Sequence, residues 1–487
     1  MKGVYGFMKR LISALLIVVM VFSLMMPSVS AAVEAEKVTP VIIVRGIDFA
    51  GLTYSDGTKA LQVNAGDIMG LLFKGFWGSL TLNGKETVAD GLFEVAKGVF
   101  LPIACDKEGN SLDPNVSMVQ YKGSMAENMD KVYALGDGGE EGIVKTAVEK
   151  YGAENVYFFT YDWRKAPVQL AEELNEYVET AKSNNGVDKV NIICASMGGM
   201  VTTAYMYYYG YDSINSAVYL SGAQNGTYVC GDALNGRIVF ESDTLVSLVN
   251  SVAADNLMLR VFMVIFNSLG VLDFITFVAN DTVTNSFDRA NDVMLRDCLG
   301  TMCGFWALCP DVDFDSARET IFGGHEDEYP VLMEKLDGVR SFVMSTEDTL
   351  KGAMESGVKL SFVSNYNIGL VPVYERAHLN GDMVLETELT SNFATVAPLG
   401  ETLPKEYLDT VDRKFVSDDR VIDSSTAVFR DNTWFVKDAP HVAADYETGF
   451  SEFTFTLLES EVQPTIYTFP QYPQFLIADE NLNISEL

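Results

Sequence analysis

The sequence predicts an α/β fold built on a mostly parallel sheet, and three observations carry that prediction. Short apolar, β-branched runs suit strands buried on both faces, helical stretches alternate with them, and one strand runs directly into a helix through a turn of small residues. The chain has 487 residues, of which 48% are hydrophobic, enough to bury a large core and to exclude general disorder.

The first strand is Val41 to Val44 in PVIIVRGIDFAGL, and Gly46 permits a sharp exit turn. A helical stretch between Gly142 and Gly152 precedes a second buried strand, NVYFFTYDW, and Pro167 then opens a long amphipathic helix that ends at Asn184-Asn185-Gly186. The strand Val190 to Cys194 leads through ASMGG into a helix rich in Met and Tyr, and SAVYLSG from Ser216 to Gly222 supplies the next strand. From 225 to 357 the rhythm breaks into helical patterns, which predicts a helical cap inserted into a core made of 32–224 and 358–465. Inside it the uncharged stretch Val261 to Leu272 is too short to span a bilayer and reads as a buried helix in preference to a lipid-facing one. KLSFVSNYN and NTWFVKDAPH restore the strand pattern, and residues 466–487 are expected to be loosely ordered.

Charge and the amino terminus narrow the partners and the compartment. With 34 Lys and Arg against 67 Asp and Glu, the net charge of −33 repels phosphate backbones, so no nucleic-acid partner is expected, and any affinity for lipid has to be apolar. Lys2, Lys9 and Arg10 precede an uncharged run from Leu11 to Met26, and Val29-Ser30-Ala31-Ala32 follow. This is the order of a secretory signal over residues 1–31, and the run falls short of the roughly 20 residues of a stable span, so cleavage near Ala31 is preferred to a retained anchor. The protein is expected outside the cell or held at its envelope. Cys298, Cys303 and Cys309 cluster without a neighbouring histidine, which favours a local disulfide or free thiols over zinc; no metal or other cofactor is expected.

The ten residues NIICASMGGM carry the chemistry. A buried strand ending in Cys194-Ala195-Ser196-Met197-Gly198, with a helix immediately after, has the form of the nucleophile elbow of α/β-hydrolases, Cys194 standing where glycine is usual. The competing reading is an ordinary turn with Ser196 as a helix N-cap. A serine needs a base, and only three histidines exist. His325 sits among carboxylates in GGHEDEY and reads as a surface residue, His378 lies in YERAHLNGD, and His441 follows the last good strand, which fits the chain order Ser, Asp, His. Asp382 in NGDMVLETE is the preferred acid and Asp423 in RVIDSS its rival. The backbone N–H of Met197, with that of Ile47 or Asp48 in the turn after the first strand, is the candidate oxyanion hole. Arg45 has no account at this level.

Taken together, PVIIVRGIDFAGL, TYDWR, CASMGGM, NGD and WFVKDAPH resemble the lecithin:cholesterol acyltransferase-like family of α/β-hydrolases, particularly its exported bacterial members. The resemblance runs in outline from Val38 to His441 and is most specific at TYDWR followed by the elbow. It implies a Ser196–Asp382–His441 triad, a supporting role for Tyr161 to Arg164, and a lipid-like or small ester as substrate, with water or an alcohol as acyl acceptor. Arg45, Cys194 and Gly381-Asp382-Met383 depart from the usual pattern. A non-catalytic cell-surface binding module and a serine peptidase or amidase are the alternatives.

Overall fold

Strand-forming runs and helices alternate in the computed structural model as they do in the sequence. It describes residues 38–61 apart from 50, parts of 70–80, and 84–134, 141–239, 271–285, 291–441 apart from 373, 443 and 448–487. The expected signal over 1–31 and residues 261–270 of the apolar stretch lie outside the described residues, whereas the last two of that stretch, Val271 and Leu272, open a helix and are buried. Eight strands form the central sheet: β1 (Val41–Val44), β2 (Val156–Phe159), β3 (Val190–Ala195), β4 (Ile214–Leu220), β5 (Lys359–Tyr366), β6 (Thr433–Lys437), β7 (Phe475–Ala478) and β8 (Ile484–Glu486). Their order is β8-β7-β6-β5-β4-β3-β1-β2, and every pairing is parallel except β7 with β8.

Both faces of the sheet are covered, which explains the unbroken apolar runs. Ile42 and Val44 face one core with α2 (Pro167–Asn185) and α3 (Met197–Tyr209), whereas Val41 and Ile43 face the other with α1 (Glu141–Tyr151) and α4 (Gly449–Leu458). The sheet's first strand, β1, lies one strand in from an edge; the chain moves from it to β2 at that edge and then crosses to β3 on the other side. Open α/β sheets bind ligands beyond the carboxyl ends of their strands at such a reversal.

Two expectations change. The described part of 225–357 is helical and packs into the main core. Trp306, Phe314, Leu336 and Leu350 belong to the same buried cluster as Ile42 and Leu170, and Thr39–Leu487 clusters as one unit. The helix Thr346–Glu355 packs on α3 and delivers the chain into β5, so it is a crossover helix of the core. Residues 466–487 are ordered rather than loose. β7 extends the parallel sheet beside β6, burying Leu476 and Ala478, and β8 closes the edge antiparallel, a contribution invisible in a segment rich in Pro, Gln and acid.

TYDWR turns out to be a structural knot at the end of β2. The Arg164 guanidinium is 1% exposed; its Nε and Nη2 donate to Asp162 at 2.8 and 2.6 Å, and its remaining reach caps the carbonyls of Ile103 and Val116. One side chain thus satisfies a buried carboxylate and two loop carbonyls. Removing it takes the cation from a buried carboxylate and a donor from each of the two carbonyls. Arg164→Met is expected to destabilise the fold by about 3–5 kcal/mol, whereas Lys122→Met, which breaks the exposed pair with Glu176, costs under about 1 kcal/mol; urea unfolding of both variants checks the contrast.

Candidate active site

Ser196 stands at the carboxyl end of β3, where the strand turns into α3, with φ 54° and ψ −129°. That region of backbone space is costly for any residue with a side chain, by about 1–3 kcal/mol, and persists only where surrounding contacts over-determine it. Those contacts are visible. Its N–H donates to Leu220 O at 3.2 Å, and its C=O accepts from Gly199 at 2.9 Å and from Ala223 at 2.7 Å. The side chain makes no capping hydrogen bond, so the N-cap alternative does not describe it. Ser196 is 9% exposed.

The strained turn fits because two neighbours lack side chains. A Cβ on Gly198 would lie 2.3 Å from Val44 O and 2.8 Å from Arg45 O, so a glycine lets the first turn of α3 press on the end of β1. A Cβ on Gly46 would lie 2.9 Å from Ser196 Cβ and 3.4 Å from its Oγ, which sets the turn after β1 against the serine. Ile47 and Asp48 continue that turn. Met197 is the first residue of α3, where the N–H has no partner within the helix. Cys194, just before this turn, is fully buried, and burial pushes its thiol well up, so it stays protonated.

Asp382 and His441 meet on the same edge of the sheet, beyond β5 and β6. His441 Nδ1 is 2.8 Å from Asp382 Oδ2, and the His441 N–H donates to Asp382 O at 2.9 Å. Asp382 Oδ1 accepts from the N–H groups of Val384 and Leu385 at 3.0 and 2.8 Å, so both carboxylate oxygens are occupied. The group is 1% exposed. Burial raises its carboxyl, but the His441 charge, the bond from His441 and the two backbone N–H donors outweigh that and hold it below 3.8.

The remaining candidates lie elsewhere. His325 is exposed and pairs with Glu328 at 2.9 Å, and the exposed His378 faces Glu375 O at 3.3 Å. Asp423, the rival acid, accepts from Tyr407 at 2.9 Å and from Ser425 N–H at 2.9 Å in a small two-stranded sheet, which leaves Asp382, of the two rival acids, as the one paired with a histidine. All six cysteines are free and buried. Among the described residues no group of three or more His, Cys, Asp and Glu side chains is arranged to hold a metal ion.

Sequence reasoning missed the residues that hold acid and base together. At the end of β5, Asn365 Nδ2 donates to Pro440 O at 3.1 Å, immediately before His441. The Asn367 N–H donates to Asn380 Oδ1 at 2.7 Å, two residues before Asp382, and Asn367 Nδ2 donates to Asp438 at 2.6 Å. One strand end therefore ties the acid loop to the base loop. The signal was present: an apolar strand ending in Asn365-Tyr366-Asn367 places two amides where only hydrogen bonding justifies them.

No family model matches this sequence, and no curated protein does. Among solved structures, the chain is similar to one from the crystal structure of the Tle4–Tli4 complex, with 12% identity over 67% of this chain and 75% of that one and a TM-score of 0.29.

The depressed carboxyl of Asp382 makes a stability prediction. Its contribution is complete above 3.8 and is lost as the pH falls through the lower folded value. Thermal melts of wild type and Asp382→Asn are expected to differ most near neutral pH and to converge below about pH 4. A gap that stays constant under acid would contradict the assignment.

Proposed function

We propose that this protein is a serine hydrolase or acyltransferase of α/β-hydrolase type, similar to the lecithin:cholesterol acyltransferase-like family. It acts outside the cytoplasm on an ester with a lipid-like acyl chain. The observation that carries this reading is a buried carboxylate–imidazole pair on the same sheet edge as a serine held in a strained, uncapped turn. The approach of the His441 ring to Ser196 Oγ is the step the reading adds to the observed contacts.

In this mechanism His441 Nε2 takes the Ser196 hydroxyl proton as Oγ attacks the ester carbonyl carbon. The carbonyl π electrons move to oxygen, and the N–H groups of Met197 and of Ile47 or Asp48 receive that charge. Collapse expels the alcohol, which leaves with the proton from His441, and Ser196 remains acylated. His441 then deprotonates water or an acceptor alcohol as it attacks the acyl carbon, and returns that proton to Ser196 Oγ as the bond to the serine breaks and the acid or a new ester is released. Asp382 keeps Nδ1 protonated and opposite the charge that forms on the ring. Helices dominate the segment between β4 and β5, and among the described residues none is long and apolar enough to cross a membrane.

A fluorophosphonate probe with intact-mass analysis tests the nucleophile. Wild type gains one adduct and Ser196→Ala gains none while retaining its melting temperature; labelling that survives the substitution removes the mechanism. Asp382→Asn and His441→Ala are expected to lower kcat on short p-nitrophenyl esters by about 10³- to 10⁴-fold. A panel pairing each ester with its amide separates esterase from amidase, and a folded wild type that never labels supports the binding-module alternative.

A further inference from the structure

The turn after β1 carries a negative charge beside a site that has to stabilise one. Arg45 Nη1 pairs with Asp48 Oδ2 at 2.7 Å, and the two side chains are 11% and 15% exposed. Asp48 Oδ1 accepts from the Gly51 N–H at 2.8 Å, while a Cβ on Gly51 would lie 2.3 Å from Asp48 Oδ2, so glycine there makes room for the carboxylate. Strand β2 holds the other side: the Arg45 N–H donates to Phe159 O at 3.3 Å, and the Tyr161 hydroxyl donates to Arg45 O at 2.9 Å. Gly46, one residue on, touches Ser196. The guanidinium and β2 together hold the backbone that supplies the Ile47 and Asp48 N–H groups.

We propose that Arg45 is a positioning residue of this turn that also compensates its charge: by pairing with Asp48 it turns aside and neutralises a carboxylate that would oppose the oxyanion formed at Ser196. The inference rests on the hydrolase reading above. An oxyanion and a carboxylate in one small turn repel each other, and the cost falls on the transition state, because the ester ground state is neutral. A unit charge roughly 7 Å from another, at an effective dielectric of about 20, changes a rate by about 10- to 100-fold. A purely structural arginine would lower folding and binding. Charge compensation instead lowers the chemical step and is relieved when the carboxylate is removed.

Arg45→Met is expected to slow both fluorophosphonate labelling of Ser196 and kcat on a short p-nitrophenyl ester by about 10- to 100-fold, with KM within about threefold. Adding Asp48→Asn to that variant is expected to recover about tenfold of the loss, because the side-chain amide still accepts from Gly51 but carries no charge. A double variant no faster than Arg45→Met, or a loss confined to KM, overturns the proposal. Circular dichroism reports folding. If Arg45→Met does not fold, Arg45→Lys decides, since it keeps the charge: a rate within about fivefold of wild type supports compensation, and a loss of about 100-fold in a folded protein overturns it. A wild type that never labels at Ser196 sinks the hydrolase reading and this inference with it, whereas a labelled wild type without rescue sinks this inference alone.

Discussion

Close approach at the end of β3 is the constraint on which the site depends. Ser196 keeps a positive φ only because β1, α3 and the turn after β4 press on it at once, and there is no space for a methyl group at Gly198 or Gly46. Overpacking a tight interior typically costs about 1–3 kcal/mol, similar to the strain of the turn itself. The local geometry is therefore stable only as a set. Backbone strain, two absent side chains and the hydrogen bonds of Leu220, Gly199 and Ala223 belong to one arrangement.

Electrostatics follow the same logic of mutual dependence. The fold buries carboxylates repeatedly and matches donors to them: Asp162 has Arg164, Asp382 has His441 and two backbone N–H groups, and Glu386 has Tyr374, Thr227 and the Tyr228 N–H. Glu386 has no cation among these contacts, and burial raises its carboxyl, whereas the imidazole beside Asp382 lowers that one. Two buried acids four residues apart thus differ in protonation tendency because of what faces them. Of the two, Asp382 is the one paired with an imidazole.

Much of the candidate site was legible, the serine turn because its signal is local in sequence and the acid and base because of their order along the chain. CASMGGM announces a strand-to-helix turn with small flanks, and chain order points to His441 and Asp382. The asparagines at the end of β5 were not read. Their partners, Pro440, Asn380 and Asp438, lie 13 to 75 residues away, and nothing in the sequence says that those loops return to the same strand end. Arg45 was opaque for a different reason. Its partner Asp48 is three residues away, but only the fold shows that this turn borders the serine.

The sequence by itself determined six of the eight sheet strands, the parallel α/β class and the serine turn, because hydrophobic periodicity and small-residue spacing are properties of neighbours along the chain. Tertiary structure decided the rest. It set Asp382, and not Asp423, against His441, merged the described helices of 225–357 with the main core, and recruited 466–487 to the sheet edge. Those outcomes depend on which distant surfaces bury each other, a balance of packing and desolvation across the whole fold that no local pattern encodes.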